Sequence, residues 1–226
     1  VWELDLARGI ALFLMIIFHM LFDLNEFYGY SVPYNTGIYY LIGKTAAVLF
    51  MLIAGISSTF SRGEAKRALK LLIAAGLITI VTHLYNPDFG IKYGILHFLG
   101  TSILLYPFFK NMNKTTLVLT GSLMILLGRY LGQIPVESNY LFLFNMTSET
   151  WVSADYYPLL PWLGVFLYGI FLSKLLYSKR ESIIKYPVHS IVRPIVDFMS
   201  MTGRHTLSVY LIHQPVLLML IGLAVA

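Results

Sequence analysis

Seven stretches of this chain are long and apolar enough to cross a lipid bilayer, and no soluble domain is visible between them. A transmembrane helix needs about 20 predominantly apolar residues, because the hydrocarbon core is ~30 Å thick and an α-helix rises ~1.5 Å per residue. The stretches are roughly Asp5–Leu24, Thr36–Phe60, Ala68–Tyr85, Tyr93–Phe109, Thr115–Leu131, Tyr157–Tyr177 and His205–Ala226. Lipid offers no partner to a backbone N–H or C=O, so spans of this length are helices. The expected fold is therefore all-α: one transmembrane helix bundle over residues 1–226 with about seven spans. Composition agrees, with 58% hydrophobic and 12% charged residues and a mean hydropathy of +0.73. A soluble domain has about 45–50% apolar and about 25% charged residues, so water-soluble classes are excluded. The 34 aromatic residues exclude a disordered chain, and the absence of cysteine excludes disulfides and thiolate metal sites. The first span is expected to be retained, since Glu3 and Asp5 stand where a signal peptide would be basic and no small-x-small site follows Leu24. Short further ends are expected, because the chain starts without Met and stops within an apolar run.

The connectors carry the breakers and charges: Asn25 to Asn35 with Pro33, Ser61–Arg67, Asn86–Gly90 with Pro87, Lys110–Lys114, Gly132–Tyr156, and Ser178–Arg204 with Pro187 and Pro194. If the N-terminus is cytoplasmic, thirteen of the 16 Lys and Arg residues fall on the inner side and only Lys44, Lys92 and Arg129 on the outer. Cytoplasmic loops carry that excess, so an N-terminus inside is expected. The formal net charge of +5 is then a topology signal and an attraction to anionic lipid, not a nucleic-acid footprint. The inner cations could also hold a polyanionic cytosolic ligand.

An ionisable group at the bilayer centre costs at least about 2.5–3.5 kcal/mol, so each one marks a candidate site. His19 lies eleven residues beyond Arg8, ~16 Å along the helix, and Asp23 is its i+4 neighbour, able to orient the imidazole as a base. A structural hydrogen bond between packed helices is the alternative. Lys44, His83, His97 and Arg129 fall in the same outer half, and their convergence suggests one wet cavity lined by five helices. Singly, His83 and Arg129 also fit the interface, Lys44 fits snorkelling and His97 fits a bond to a neighbouring carbonyl. Asp155 precedes Pro158 and Pro161, which prevent a regular first turn of the sixth span; it is expected to cap that helix or face an acceptor, with Trp162 in the same segment. Arg204 and His205 open the last span, and His213 and Gln214 lie ~13 Å deeper, with Pro215 breaking the ladder there. No GxSxG, P-loop or HExxH motif is present, no two histidines have tight ligand spacing, and no metal is expected.

With these residues in view, the chain resembles the heparan-alpha-glucosaminide N-acetyltransferase catalytic family, in its compact prokaryotic form. The resemblance rests on Glu3-Leu-Asp5-Leu-Ala-Arg8-Gly9 with Met15, His19 and Asp23, and on Phe50-Met-Leu-Ile-Ala-Gly55-Ile-Ser57. It continues in Gly94-Ile-Leu-His97-Phe-Leu-Gly100, Tyr157-Pro-Leu-Leu-Pro-Trp162-Leu-Gly164 and the ending Gly203-Arg-His-Thr-Leu-Ser-Val-Tyr-Leu-Ile-His213-Gln-Pro. It covers nearly the whole chain and implies a multi-pass acyltransferase of the prokaryotic plasma membrane. Such an enzyme takes the acetyl group of cytosolic acetyl-CoA and delivers it to an amino sugar or hydroxyl at the outer side. The resemblance implies a catalytic histidine in the loop after the first helix, as in eukaryotic members; Asn25 to Asn35 contains none, so either His19 or another outer histidine takes that role or the chemistry differs.

On this reading His19, Asp23 and His97 are the catalytic candidates. Arg8, Arg204, His205 and His213 form the acetyl-CoA side, and Lys44, His83, Arg129, Asp155 and Trp162 the acceptor side. Expected partners are membrane lipids and a small-molecule or glycan acceptor, with no nucleic acid; a homo-oligomer is compatible with the sequence. The rival class is a solute transporter using the same buried polar groups as a pathway, against which no inverted repeat is detectable. A non-catalytic membrane protein is the third class.

Overall fold

The computed structural model describes residues 1–186 and 191–225, and all regular structure among them is helical. Eight α-helices follow one another: α1 (Trp2–Glu26), α2 (Gly37–Ser58), α3 (Glu64–Tyr85), α4 (Ile95–Phe109), α5 (Lys114–Leu131), α6 (Leu159–Leu176), α7 (Arg193–Arg204) and α8 (Thr206–Val225). Short 3₁₀ turns occur at Pro87–Phe89 and Phe142–Phe144. Every stretch expected to span is a helix, within a few residues at each end, although Pro187 and Ala226 lie outside the described residues. Among the described residues five helices are long and apolar enough to cross a membrane: α1, α2, α3, α6 and α8. α4 has 15 residues, ~22 Å at the helical rise, and α5 carries Lys114, Arg129 and several hydroxyls. The connector Ser178–Arg204 also contains a helix of its own, α7.

The chain divides into two compact units, Val1–Phe50 with Arg180–Ala226 and Met51–Lys179, the boundary falling within α2. In the first unit the two ends of the sequence pack together. α7 lies against the start of α1 where glycines allow backbone contact: a Cβ at Gly9 would collide with the Met199 carbonyl, and one at Gly203 with the Asp5 carbonyl. The segment before α7 is tied to the same place, with the Trp2 indole N–H donating to the Ile184 carbonyl at 3.1 Å and the Ile183 amide donating to Glu3 Oε1 at 2.7 Å. Further along, Tyr28 donates to the Leu218 carbonyl of α8 at 2.7 Å, and the Phe18 ring fills the space beside Gly43 of α2.

The second unit packs around Phe98, Ile103, Leu117, Phe166, Leu167 and Ile170, all essentially inaccessible. Between helices surrounded by lipid tails there is little hydrophobic gain, so association depends on close packing of small residues. Gly121 of α5 and Gly164 of α6 face each other, each occupying the space the other's side chain would need, and Gly128 sits against the Leu160–Pro161 backbone. The two prolines open α6 irregularly as expected: Leu160 is extended (φ −99°, ψ 131°) before a cis bond to Pro161. α8, by contrast, continues through Pro215. The entries to α4 and α6 are joined by the Tyr157 amide donating to the Tyr93 carbonyl at 2.9 Å. At the other end Lys174 donates to the Lys110 and Met112 carbonyls at 2.7 and 2.5 Å, satisfying groups that the end of α4 leaves open.

A leucine at position 164 would meet Ile125 side-chain carbon already within 2.6 Å of a Cβ, besides the Gly121 carbonyl. Gly164→Leu should therefore lower stability by about 1–3 kcal/mol or more. Thermal unfolding of the detergent-solubilised chain checks this, and an unchanged midpoint would show that α5 and α6 do not depend on the contact.

Candidate functional site

Within the units, the residues expected at a site gather in two clusters. The first lies between α1 and α8. His19 and Asp23, one turn apart on α1, face His213 and Gln214 of α8: the two imidazole rings meet edge-on at 4.9 Å, and Gln214 Nε2 donates to Asp23 Oδ1 at 2.6 Å. The expected carboxylate–imidazole bond within α1 is replaced by this bond across the helices. An i+4 spacing puts two side chains on one face without making them bond, and the Gln214 amide offers a better-aimed donor.

Asp23 is completely buried and His213 is 9% exposed. His213 Nδ1 lies 2.5 Å from the Tyr210 carbonyl, so Nδ1 carries the proton and Nε2 presents a bare lone pair. Among the described residues that Nε2 has no partner, nor do Asp23 Oδ2 and Gln214 Oε1, though all three are buried. Four other buried side-chain polar atoms without a partner, among the described residues, belong to Glu3, Ser102, Trp151 and Ser200. The cluster thus holds three unsatisfied atoms, all of them acceptors, each costing about 1–3 kcal/mol in isolation. Among the described residues Asp23 has no ion-pair partner. The complement of such a site is a cationic group with several N–H donors.

The remaining candidates of this unit lie toward the beginning of α1 and α8. Arg8 pairs with Asp5 at 2.5 Å, while Arg204 ends α7 and His205 joins it to α8, both exposed. His205 and His213 are eight residues apart, ~12 Å along the helix. Lys44 on α2 stands 5.5 Å from the centre of the Tyr40 ring.

The second cluster surrounds the start of α4. Asp155 Oδ2 accepts from the Ile95 amide at 2.8 Å, so the carboxylate caps α4 rather than its own helix α6. His97, two residues further on, accepts from the Gly94 amide through Nδ1 at 3.3 Å. Its Nε2 lies 3.3 Å from Thr79 Oγ1; because that hydroxyl donates to the Ile91 carbonyl at 2.7 Å, His97 Nε2 is the donor. Both ring nitrogens of His97 are thereby engaged within the protein, and the ring stacks on Tyr93 at 5.5 Å. His83 Nδ1 donates to the Thr79 carbonyl at 3.0 Å, and the ring fills the space beside Gly90. An aromatic group of Phe142, Trp151 and Tyr156 continues from Tyr93; burial and the neighbouring Tyr93 push the Tyr156 phenol up to about 12, so it remains a donor, to the Phe142 carbonyl at 2.5 Å. Arg129 is exposed in the last turn of α5, and Trp162 packs edge-on against Tyr157 at 5.4 Å.

Gln214 and Thr79 organise these clusters. Gln214 was visible in the sequence as an amide in an apolar run, without an indication that Asp23 was its partner. Nothing in the sequence marks Thr79, because a threonine in an apolar helix usually bonds its own backbone.

The family model described as heparan-alpha-glucosaminide N-acetyltransferase, catalytic, matches residues 1–215, and the chain belongs to that family. Neither the curated proteins nor the solved structures contain a match to it.

Removing the carboxylate from the start of α4 should loosen that helix without touching the α1–α8 cluster. Asp155→Ala is expected to cost about 0.5–2 kcal/mol, the range for losing a helix N-cap. Hydrogen exchange at Ile95 to Phe98 should rise while Asp155→Asn, which retains an acceptor oxygen, stays closer to wild type; equal protection in all three proteins would contradict the capping role.

Proposed function

We propose that this family member is an acetyl-CoA-dependent N-acetyltransferase of the prokaryotic plasma membrane, with an amino sugar as acceptor and the α1–α8 cluster as its transfer site. The observation that carries this reading is the set of three buried acceptors, Asp23 Oδ2, His213 Nε2 and Gln214 Oε1, left without partners beside two touching imidazoles. A protonated amine brings three N–H donors and a positive charge to that set. A hydroxyl brings one donor and no charge, so the cluster favours an amine over the hydroxyl that the sequence also allowed.

In the reaction, Asp23 and Gln214 hold the ammonium group and His213 Nε2 takes one of its protons, freeing the nitrogen lone pair. His213 suits this role because its Nδ1–H is tied to the Tyr210 carbonyl, which aims the other nitrogen away from the backbone. The amine attacks the thioester carbonyl carbon; the C–N bond forms and the C–S bond breaks. The second proton leaving nitrogen passes through His19, whose ring touches that of His213, to the departing sulfur. The products are an acetamide, free CoA and the one proton first taken by His213. Arg8 and Arg204 provide cations for the phosphates of acetyl-CoA. From Arg8 to His19 is ~16 Å along α1, and from His205, next to Arg204, to His213 is ~12 Å along α8, separations that the extended pantetheine arm would bridge. With the N-terminus cytoplasmic, the phosphates approach from the inner face and the sugar from the outer. His97 and Asp155 hold the start of α4 and take no step in this scheme.

Transfer of labelled acetate from acetyl-CoA to glucosamine by the purified protein tests the reading. His213→Phe and His19→Ala should lower kcat by about 10²–10⁴, the contribution of a positioned proton-transfer group, while leaving acetyl-CoA binding intact. Arg204→Ala should weaken acetyl-CoA binding with the acceptor KM unchanged. Absence of acetyl-CoA binding at millimolar concentration, or transport of an unmodified solute into proteoliposomes, would overturn the assignment.

A further inference from the structure

α7 belongs to neither cluster, and its surface is divided three ways. One face, with Ser200 and Gly203, is buried against α1. The opposite face is apolar and exposed: Ile195, Phe198 and Met201 repeat at i, i+3 and i+6 and are 62%, 58% and 48% accessible. Arg193 and Asp197 lie along the border between the two, 3.5 Å apart, with Tyr186 donating to Asp197 as well. The sequence around the helix is basic: between Lys174 and Arg204 there are six Lys and Arg residues against two acids. Four to eight cations adjoining a transmembrane or amphipathic helix are the composition that attracts anionic lipid. α7 has 12 residues, ~18 Å, too short to span, and its exposed stripe is too apolar to lie in water beside a transmembrane helix. The chain before it is pinned to the first turn of α1 by Trp2 and Glu3, and Trp2 meets Tyr186 edge-on at 5.3 Å. Such a Trp–Tyr pair sits characteristically at headgroup level.

We propose that α7 is an interfacial helix that binds anionic phospholipid together with residues 180–186, with Arg180, Lys185 and Arg193 on the headgroup phosphates and Ile195, Phe198 and Met201 in the acyl boundary. This surface is independent of the transfer chemistry. A lipid headgroup is preferred to a soluble phosphate because the cations border an exposed apolar stripe, which a soluble anion would leave uncovered.

The experiment titrates the full detergent-solubilised chain with short-chain phosphatidylglycerol and, separately, phosphatidylcholine, following intrinsic fluorescence. Phosphatidylglycerol should bind more tightly, and the preference should shrink in 0.5 M NaCl. Each cation removed by Arg180→Gln, Lys185→Gln or Arg193→Gln should weaken phosphatidylglycerol binding about fivefold, the effect of one Lys or Arg near an anionic surface. Phe198→Ser should weaken both lipids. Equal affinity for the two lipids, a preference that survives salt, or wild-type affinity in the triple Gln variant would overturn the proposal. So would competition by inorganic pyrophosphate at equal concentration, which would assign the cations to a soluble anion. Disulfide-linked dimers of Phe198→Cys in liposomes would assign the apolar face to a second copy. The salt titration needs only wild-type protein, so the outcome does not depend on any variant folding.

Discussion

A carboxyl group buried completely within apolar helices is stabilised only by what the chain or a ligand brings to it, and Asp23 is in that position. It is 0% accessible, and among the described residues no cation pairs with it. Its one bond comes from Gln214, so α1 and α8 must be adjacent and in register for the site to exist. The rest of the first unit supports that register: α7 against the first turns of α1, Tyr28 on the Leu218 carbonyl, Phe18 beside Gly43. Gln214 satisfies one carboxylate oxygen and leaves the other, together with its own carbonyl and His213 Nε2, for something else. A half-satisfied polar network is expensive in a protein interior, and these three acceptors carry that expense in the middle of an apolar helix pair.

The histidines show how similar positions in sequence take different chemical roles. His97 and His213 are both imidazoles in apolar segments. His97 accepts from the Gly94 amide and donates to Thr79, so both its nitrogens are bonded within the protein. His213 uses one nitrogen on the Tyr210 carbonyl and keeps a buried lone pair on the other. His83 spends its Nδ1–H on the Thr79 carbonyl. The difference lies in the partners, which come from backbone geometry and from residues 3 to 18 positions away.

What was legible in the sequence follows from the period and length of its patterns. Apolar runs near 20 residues cut the chain into helices correctly, and the Pro158–Pro161 pair marked the irregular start of α6. α7 was hidden because its apolar residues recur on one face among charges, giving a low average in a connector rich in Pro and Lys. The polar residues of a site were identifiable by being misplaced in lipid, and His19, Asp23 and His213 do come together. Their pairing was not identifiable: spacing along one helix suggested Asp23 to His19, whereas the bond made is to a side chain 191 residues away. Asp155 likewise caps α4 across 60 residues, which local capping rules cannot anticipate.

The first unit is assembled from the two ends of the chain, and that sets an order of events in synthesis. Asp23 enters the membrane with the first helix, but Gln214 follows 191 residues later, which at ~5–20 residues per second is roughly 10–40 s of translation. During that interval α1 carries an aspartate without its eventual partner, and residues 51–179 of the second unit are made meanwhile. The Asp23–Gln214 seam therefore closes only after α8 has been made, and a chain stopped before α8 leaves that buried carboxylate without its donor.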